Sequence, residues 1–181
     1  MTGSFFEELS IEIKKSVIER GHPFRFITMA TTGNESIARL RTVVLREVTE
    51  NLRLTIYTDG RTQKINHIHA NNQVSLLLYH PDKMMQLKVE GIAEIVTNTE
   101  RLKSTWQNIQ PNSRKDYITE TSPGTAIKNP DHVEYVEDKN HFTIIDIFPT
   151  KIEYLKLKRP NHIRALFTKT DDIWKGEFLV P

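Results

Sequence analysis

Residues 41–64, RTVVLREVTENLRLTIYTDGRTQK, read as strand, turn, strand, turn and the start of a helix, with cations at both ends. Val43, Val44 and Leu45 lie between Arg41 and Arg46, the pattern of a buried strand whose ends can meet an anion. Residues 52–58 set Leu52, Leu54 and Ile56 against Arg53, Thr55 and Tyr57, the alternation of a half-buried strand. Asp59-Gly60 breaks the run. Thr62 is placed to cap a helix carrying Lys64, Ile65, Ile68 and Ala70. Backbone N–H groups, hydroxyls and a lysine thus gather at one helix N-terminus, chemistry suited to a phosphate. In an ideal strand Arg41 and Arg46 point to opposite faces, so either a bulge intervenes or they serve different parts of a ligand.

Upstream, residues 4–20 carry Phe5, Phe6, Leu9, Ile13, Val17 and Ile18 at helical spacing, with Ser4 and Glu7 as a capping box; Gly21 and Pro23 end the helix. Residues 24–31 read as a strand, 32–35 as a turn and 36–47 as a second strand, a hairpin. Downstream of the helix over 62–71, the continuous apolar run 74–79 suits a strand buried on both faces. Residues 84–97 alternate, with Gln86, Lys88 and Glu90 on one face, until Gly91 permits a bulge. Thr97 and Glu100 box a helix over 99–109 that carries Leu102, Trp106 and Ile109. Residues 110–140 form a long polar excursion, the kind of irregular segment that serves as a lid or mobile loop. Residues 141–148, 151–157, 162–168 and 173–180 read as four further strands. Hairpin-sized connections between so many strands predict a mainly β protein, a six- or seven-stranded antiparallel barrel flanked by helices.

At 181 residues the chain is expected to be one domain, residues 1–181, with enough length for a real core. Its 27% charged and 38% hydrophobic residues and net charge of +2 are those of an ordinary soluble globular protein. With no cysteine there are no disulfides, thiolate metal sites or cysteine nucleophiles, which favours a reducing compartment. No segment approaches the roughly 20 apolar residues of a membrane span, and the N-terminus is acidic where a signal peptide is basic, so a cytoplasmic location without a membrane partner is expected. His67 and His69 point to different faces of the expected helix, and no recognised ligand spacing occurs, so no metal site is expected. The balanced charge also argues against a nucleic-acid partner. Walker A, GxGxxG and G-x-S-x-G patterns are missing.

The order R-x-V-V-L-R, Y-T-D, a lysine opening a helix, N-N-x-V-S-L-L-L-Y, M-Q-L-K-V-E-G, and finally Arg164, Trp174 and a terminal F-L-V-P resembles the FMN-binding split barrel of the pyridoxamine 5′-phosphate oxidase family. The resemblance implies a homodimer with FMN in clefts between subunits. Arg41 and Lys64 would bind the FMN phosphate, helped by Thr58 and Arg61. Val43, Val44 and Leu45 would line the flavin, with Tyr57 beside it, Gln86 on the polar ring edge and Arg164 completing the site from the C-terminal strands. Gln63 stands where the family has an arginine before the lysine, Tyr154 where it has a flavin-contacting tryptophan, and Arg46 where a lysine meets the substrate phosphate. In the family's R-x-H substrate motif His162 is kept and Pro160 replaces the arginine. The central S-R-K-D-Y…S-P-G segment is similar to the related FMN-binding proteins, with Arg114 as an anion contact. The function implied is an FMN-dependent oxidoreductase acting on a small organic substrate, pyridoxamine 5′-phosphate being one candidate, with His162 as a substrate contact. A non-catalytic FMN carrier or sensor, and a split barrel binding haem or deazaflavin, are the alternatives.

Overall fold

The computed structural model describes residues 2–34 and 37–181; the expected 32–35 turn and the start of the second strand lie partly outside these residues. Helix α1 (Gly3–Ile18) is followed by a short 3-10 turn and by β1 (Phe26–Thr31), β2 (Arg39–Val48) and β3 (Leu54–Asp59). Helix α2 (Gln63–Ala70), β4 (Gln73–His80), β5 (Met85–Ile95), α3 (Thr99–Asn108) and α4 (Pro111–Arg114) come next. The chain ends with β6 (Phe142–Lys156), β7 (Ile163–Thr170) and β8 (Ile173–Leu179). Every strand pairing is antiparallel. The strand order is β3-β2-β1-β4-β5-β6-β7-β8, and β3 also pairs with β6, which closes six strands into a barrel.

Closure depends on the length of β6. Its first half, Phe142 to Ile147, lies opposite β3, while Lys151 to Lys156 lies opposite β7. The two strands expected over 141–157 are therefore one, bent rather than interrupted at Pro149. The bend is matched across the ladder by a register shift between Glu90 and Gly91, as expected at Gly91. A Cβ on Gly91 would sit 2.5 Å from the Phe148 carbonyl oxygen, so only glycine allows this approach.

The barrel interior is aliphatic: Ile27, Met29, Leu45, Leu54, Ile56, Leu76, Leu78, Leu87 and Val89 are essentially fully buried. Helix α1 covers one end, with Leu9 and Ile13 in the core, Phe5 against Tyr154, and Phe6 against Phe167 and Trp174. A second cluster of Tyr117, Phe142 and Ile144 packs α3 and the following loop onto the outside of β3 and β6.

Several local expectations are corrected. The run 74–79 alternates in burial, because β4 lies on the barrel wall with one face out, leaving Leu77 and Tyr79 exposed. Helix α1 starts one residue before Ser4, with Thr2 at the N-cap and no side-chain cap, so there is no Ser4–Glu7 box. Asn98, not Thr97, caps α3, accepting from the Arg101 N–H. Leu52 adopts a positive φ in the turn, so β3 begins at Leu54. The excursion over 110–140 contains α4, two 3-10 turns and a bridge between Thr119 and Tyr135, so it folds back on itself.

Candidate functional site

The expected site residues fall into three groups. The first occupies the mouth of the barrel, where α2 begins. Arg41 shares the inward face of β2 with Val43 and Leu45, and its Nη1 donates to Thr31 Oγ1 at 2.7 Å and to the Met29 carbonyl at 3.3 Å. Lys64 Nζ donates to Thr58 Oγ1 at 2.7 Å and to Thr62 Oγ1 at 3.1 Å. Thr62 holds the N-cap position of α2 without making a side-chain cap, because its hydroxyl donates to the Asp59 carbonyl. In the first turn the Ile65 N–H bonds the Thr62 carbonyl at 2.9 Å, while the N–H groups of Gln63 and Lys64, which have no partner inside the helix, keep their capacity for an acceptor. Burial, and next the neighbouring Arg41, lowers the Lys64 pKa to about 8. Burial also lowers the Arg41 pKa. Two cations whose charge is this poorly compensated form a cradle for an anion. An open depression of about 580 Å³ lies over it, lined by Arg39, Arg41, Thr62, Gln63, Lys64, Pro123 and Gly124.

Arg61, expected beside this phosphate, is committed elsewhere. It forms an ion pair with Asp59 Oδ2 at 2.7 Å and donates to the carbonyls of Thr119 and Glu120. That ties the 110–140 excursion to the turn before α2. Gln63 is exposed on the rim.

The second group lies on the outer face of β2 and β3. The register of β2 against β3 shifts between Leu45 and Glu47, and Arg46 turns outward there, 5.7 Å from the Tyr57 ring centroid. The two arginines therefore face opposite ways and a bulge is present as well. The Tyr57 hydroxyl donates to Glu47 Oε1 at 2.9 Å; burial and this carboxylate raise its pKa. A cleft of about 540 Å³ is lined by Arg25, Arg46, Tyr57, Asn108, Gln110 and Ser113 among others, and Arg46 Nε is buried with no acceptor among the described residues. Arg114 is not in this cleft. Its Nε and Nη2 donate to the carbonyls of Ile109 and Gln107, and it stacks on Trp106, closing the end of α3.

The third group is on the outward face of β5, β6 and β7, where Gln86, Leu155 and Arg164 lie in one cross-strand row. Arg164 donates to Glu153 Oε1 from Nε and Nη2 at 3.1 and 2.9 Å. Tyr154 points to the other face, fully buried against Phe5, with its hydroxyl on Glu8 Oε2 at 2.7 Å. It is thus not brought to Gln86 or Arg164. His162 is exposed just before β7, its Nδ1 accepting from the Lys158 N–H at 3.1 Å.

Two residues that sequence reasoning left out belong to the barrel mouth. Thr31 is buried behind Arg41, and His67, one helical turn beyond Lys64, meets it at 3.0 Å. The i, i+3 spacing of Lys64 and His67 on α2 is a signal that could have found His67; Thr31 has none, since it meets them only across strands. Glu12, His22 and His80 form a further buried cluster under α1, their ligand-capable atoms within 4.8 Å of one another. Most of its polar atoms have partners already: both histidine Nδ1 atoms accept backbone N–H groups, His22 Nε2 meets Glu12, and the Lys83 ammonium pairs with the same carboxylate, which His80 Nε2 faces at 3.9 Å. Burial acts to raise the Glu12 pKa, but Lys83 and His22 outweigh it and hold the carboxyl below its usual range. A ring whose Nδ1 accepts carries its proton on Nε2, which suits a hydrogen-bonded clasp rather than metal ligation through Nε2.

A closed six-stranded antiparallel barrel with flanking helices is a split barrel of the pyridoxamine 5′-phosphate oxidase type. Residues 4–97 match the family described as pyridoxamine 5′-phosphate oxidase, FMN-binding domain, and the chain belongs to that family. It is 25% identical over 162 residues to the pyridoxine/pyridoxamine 5′-phosphate oxidase of Shewanella pealeana, covering 83% of this chain and 76% of the relative. Among solved structures, a pyridoxamine 5′-phosphate oxidase-related, FMN-binding protein from Nostoc punctiforme superposes with a TM-score of 0.78 at 20% identity, covering 97% of this chain and 96% of that one. PhzG from Burkholderia lata, in complex with tetrahydrophenazine-1-carboxylic acid, gives the same TM-score of 0.78 at 14% identity, covering 97% and 92%. At these identities the two structures establish the fold.

Proposed function

We propose that this chain is an FMN-dependent oxidoreductase, active as a homodimer, that transforms a small organic substrate bearing an anionic group. The observation that carries this reading is the pair Arg41 and Lys64 beside an uncapped helix start, an anion cradle at the mouth of a barrel whose family is FMN-binding. The donor set fits a phosphate monoester: a guanidinium, an ammonium, the Thr58 hydroxyl and the N–H groups of Gln63 and Lys64. Val43, Val44 and Leu45 connect this cradle to Arg46 and Tyr57 along β2 and β3, the path along which the ring system would lie. Gln86 and Arg164 face outward on the far wall, so a second copy of the chain is the natural way to bring an amide and a guanidinium to the same ring.

When bound, FMN supplies the two-electron chemistry. The chain's residues grip its phosphate, hold the ring against β2 and offer Arg46 in the adjoining cleft to a substrate anion. The open cleft beside Tyr57 favours this reading over a closed carrier, in which residues 110–140 would cover that face.

The test is the visible spectrum of the protein after loading with FMN and removal of the unbound flavin, beside the Arg41→Ala, Lys64→Ala double variant. Retention by the native chain and loss by the variant are expected. A native chain that releases all its FMN contradicts the proposal.

A further inference from the structure

The Arg41 guanidinium is held by a buried relay that the phosphate chemistry itself does not touch. Thr31 and His67 are 1% and 7% exposed. Arg41 Nη1 donates to Thr31 Oγ1, and Thr31 Oγ1 lies 3.0 Å from His67 Nδ1. Arginine has no acceptor, so the threonine oxygen receives the Arg41 proton and its own O–H needs a partner. His67 Nδ1 is the acceptor in reach, which places that ring's proton on Nε2. The relay runs from β2 through β1 to α2, so it fixes Arg41 relative to the helix that carries Lys64. The ring itself is held in place: a Cβ on Gly33 would lie 2.9 Å from His67 Cδ2, so the chain after β1 packs directly on it.

We propose that Thr31 and His67 are positioning residues that aim Arg41 at the phosphate of the flavin and so set the preference for FMN over riboflavin. The physical reason is that Arg41 and Lys64 repel each other. Without an anchor behind it, the guanidinium would swing toward solvent whenever the anion is absent, and each binding event would have to draw it back. Using Nη1 for Thr31 and the Met29 carbonyl leaves the Nε and Nη2 side of the fork as the part that an anion meets. Thr31 and His67 make no contact of their own with the ligand. Their effect passes entirely through Arg41.

This inference rests on the FMN reading above, and the experiment separates the two. Dissociation constants for FMN and for riboflavin, which lacks the phosphate, are measured by quenching of flavin fluorescence on the full-length protein. The variants are Thr31→Val, Thr31→Ser and His67→Phe. Thr31→Val keeps the shape and removes the hydroxyl; it is expected to weaken FMN about tenfold while riboflavin changes less than twofold. Thr31→Ser restores the hydroxyl and is expected to return FMN affinity to within about twofold of native. His67→Phe keeps a ring but removes the acceptor, and is expected to cut the FMN-to-riboflavin preference in the same direction, an independent reading should Thr31→Val fail to fold. A native FMN preference that survives both substitutions, or a loss that falls equally on both flavins, overturns the relay and leaves the FMN reading standing. A native protein with no preference for FMN over riboflavin overturns both.

Discussion

Lys64 sits where burial and the neighbouring Arg41 both oppose its charge, and its pKa of about 8 is the measure of that opposition. The folded chain binds this proton less readily than the unfolded one, so the charged lysine weakens the ligand-free protein below pH 8. The penalty fades as pH rises from about 8 toward 10.5. Allowing for its partial exposure, the cost is on the order of 2 kcal/mol. Lys64→Met is therefore expected to raise the melting temperature of the ligand-free protein by a few degrees near pH 7 while abolishing FMN retention; calorimetry and the flavin spectrum check the two halves. In the proposed cradle it is the protonated lysine that meets the phosphate. Native FMN affinity is thus expected to fall about tenfold between pH 7 and pH 9, and flat titration isotherms across that range would exclude Lys64 as the phosphate's partner. That Thr58 and Lys64 gather at the start of α2 was legible in the sequence, because charge and hydroxyl density at a helix start is a local property. Thr31 and His67 were not, because their role appears only when β1 and α2 are brought against β2.

At the scale of elements, alternation revealed the strands, and failed where a second influence overrode it. The apolar residues of β4 read as buried on both sides, yet every other one faces out. Residues 141–148 and 151–157 read as separate strands, although the chain only bends at Pro149 and stays paired there opposite Gly91. Polar segments carried the least information: residues 110–140 showed no period, and their placement depends on a side chain from a distant turn. Arg61 donates to Thr119 Oγ1 and to the carbonyls of Thr119 and Glu120, while Pro123 and Gly124, a few residues on, line the depression over Lys64. Asp59 holds the guanidinium in place and raises the Arg61 pKa. Arg61→Ala is expected to free this segment, so that trypsin cuts at Arg114 or Lys115 several-fold faster in native conditions while the barrel melts within a few degrees of the native chain. Unchanged cleavage would show that the loop is held by other contacts.

For the whole molecule, the barrel and its flanking helices were legible from strand number and hairpin-sized links, but not that six strands close while β7 and β8 stand outside the ring. Closure is a long-range pairing of β3 with β6 that no local pattern announces. The outward face of β1 and β4 presents Phe26 at 64%, Leu77 at 42% and Tyr79 at 47% exposure, an apolar stretch on neighbouring strands that suits a second copy of the chain. Tyr79→Glu is expected to halve the particle mass seen by light scattering and to release FMN together with the partner. A variant that remains dimeric, or a monomer that keeps its flavin, would remove the subunit boundary from the site.

The bend in β6 has a consequence for where such a protein can change. The residues of the proposed phosphate cradle come from 29–67, inside the 4–97 span that matches the family, whereas Arg164 and His162 ride on a hairpin that hangs from the far half of one strand. Barrel closure uses the near half and does not depend on that hairpin's register. Closure and hairpin are thus decoupled: a change at Arg164 or His162 can reshape the hairpin's face while the pairing of β3 with β6 and the cradle of Arg41 and Lys64 stay as they are.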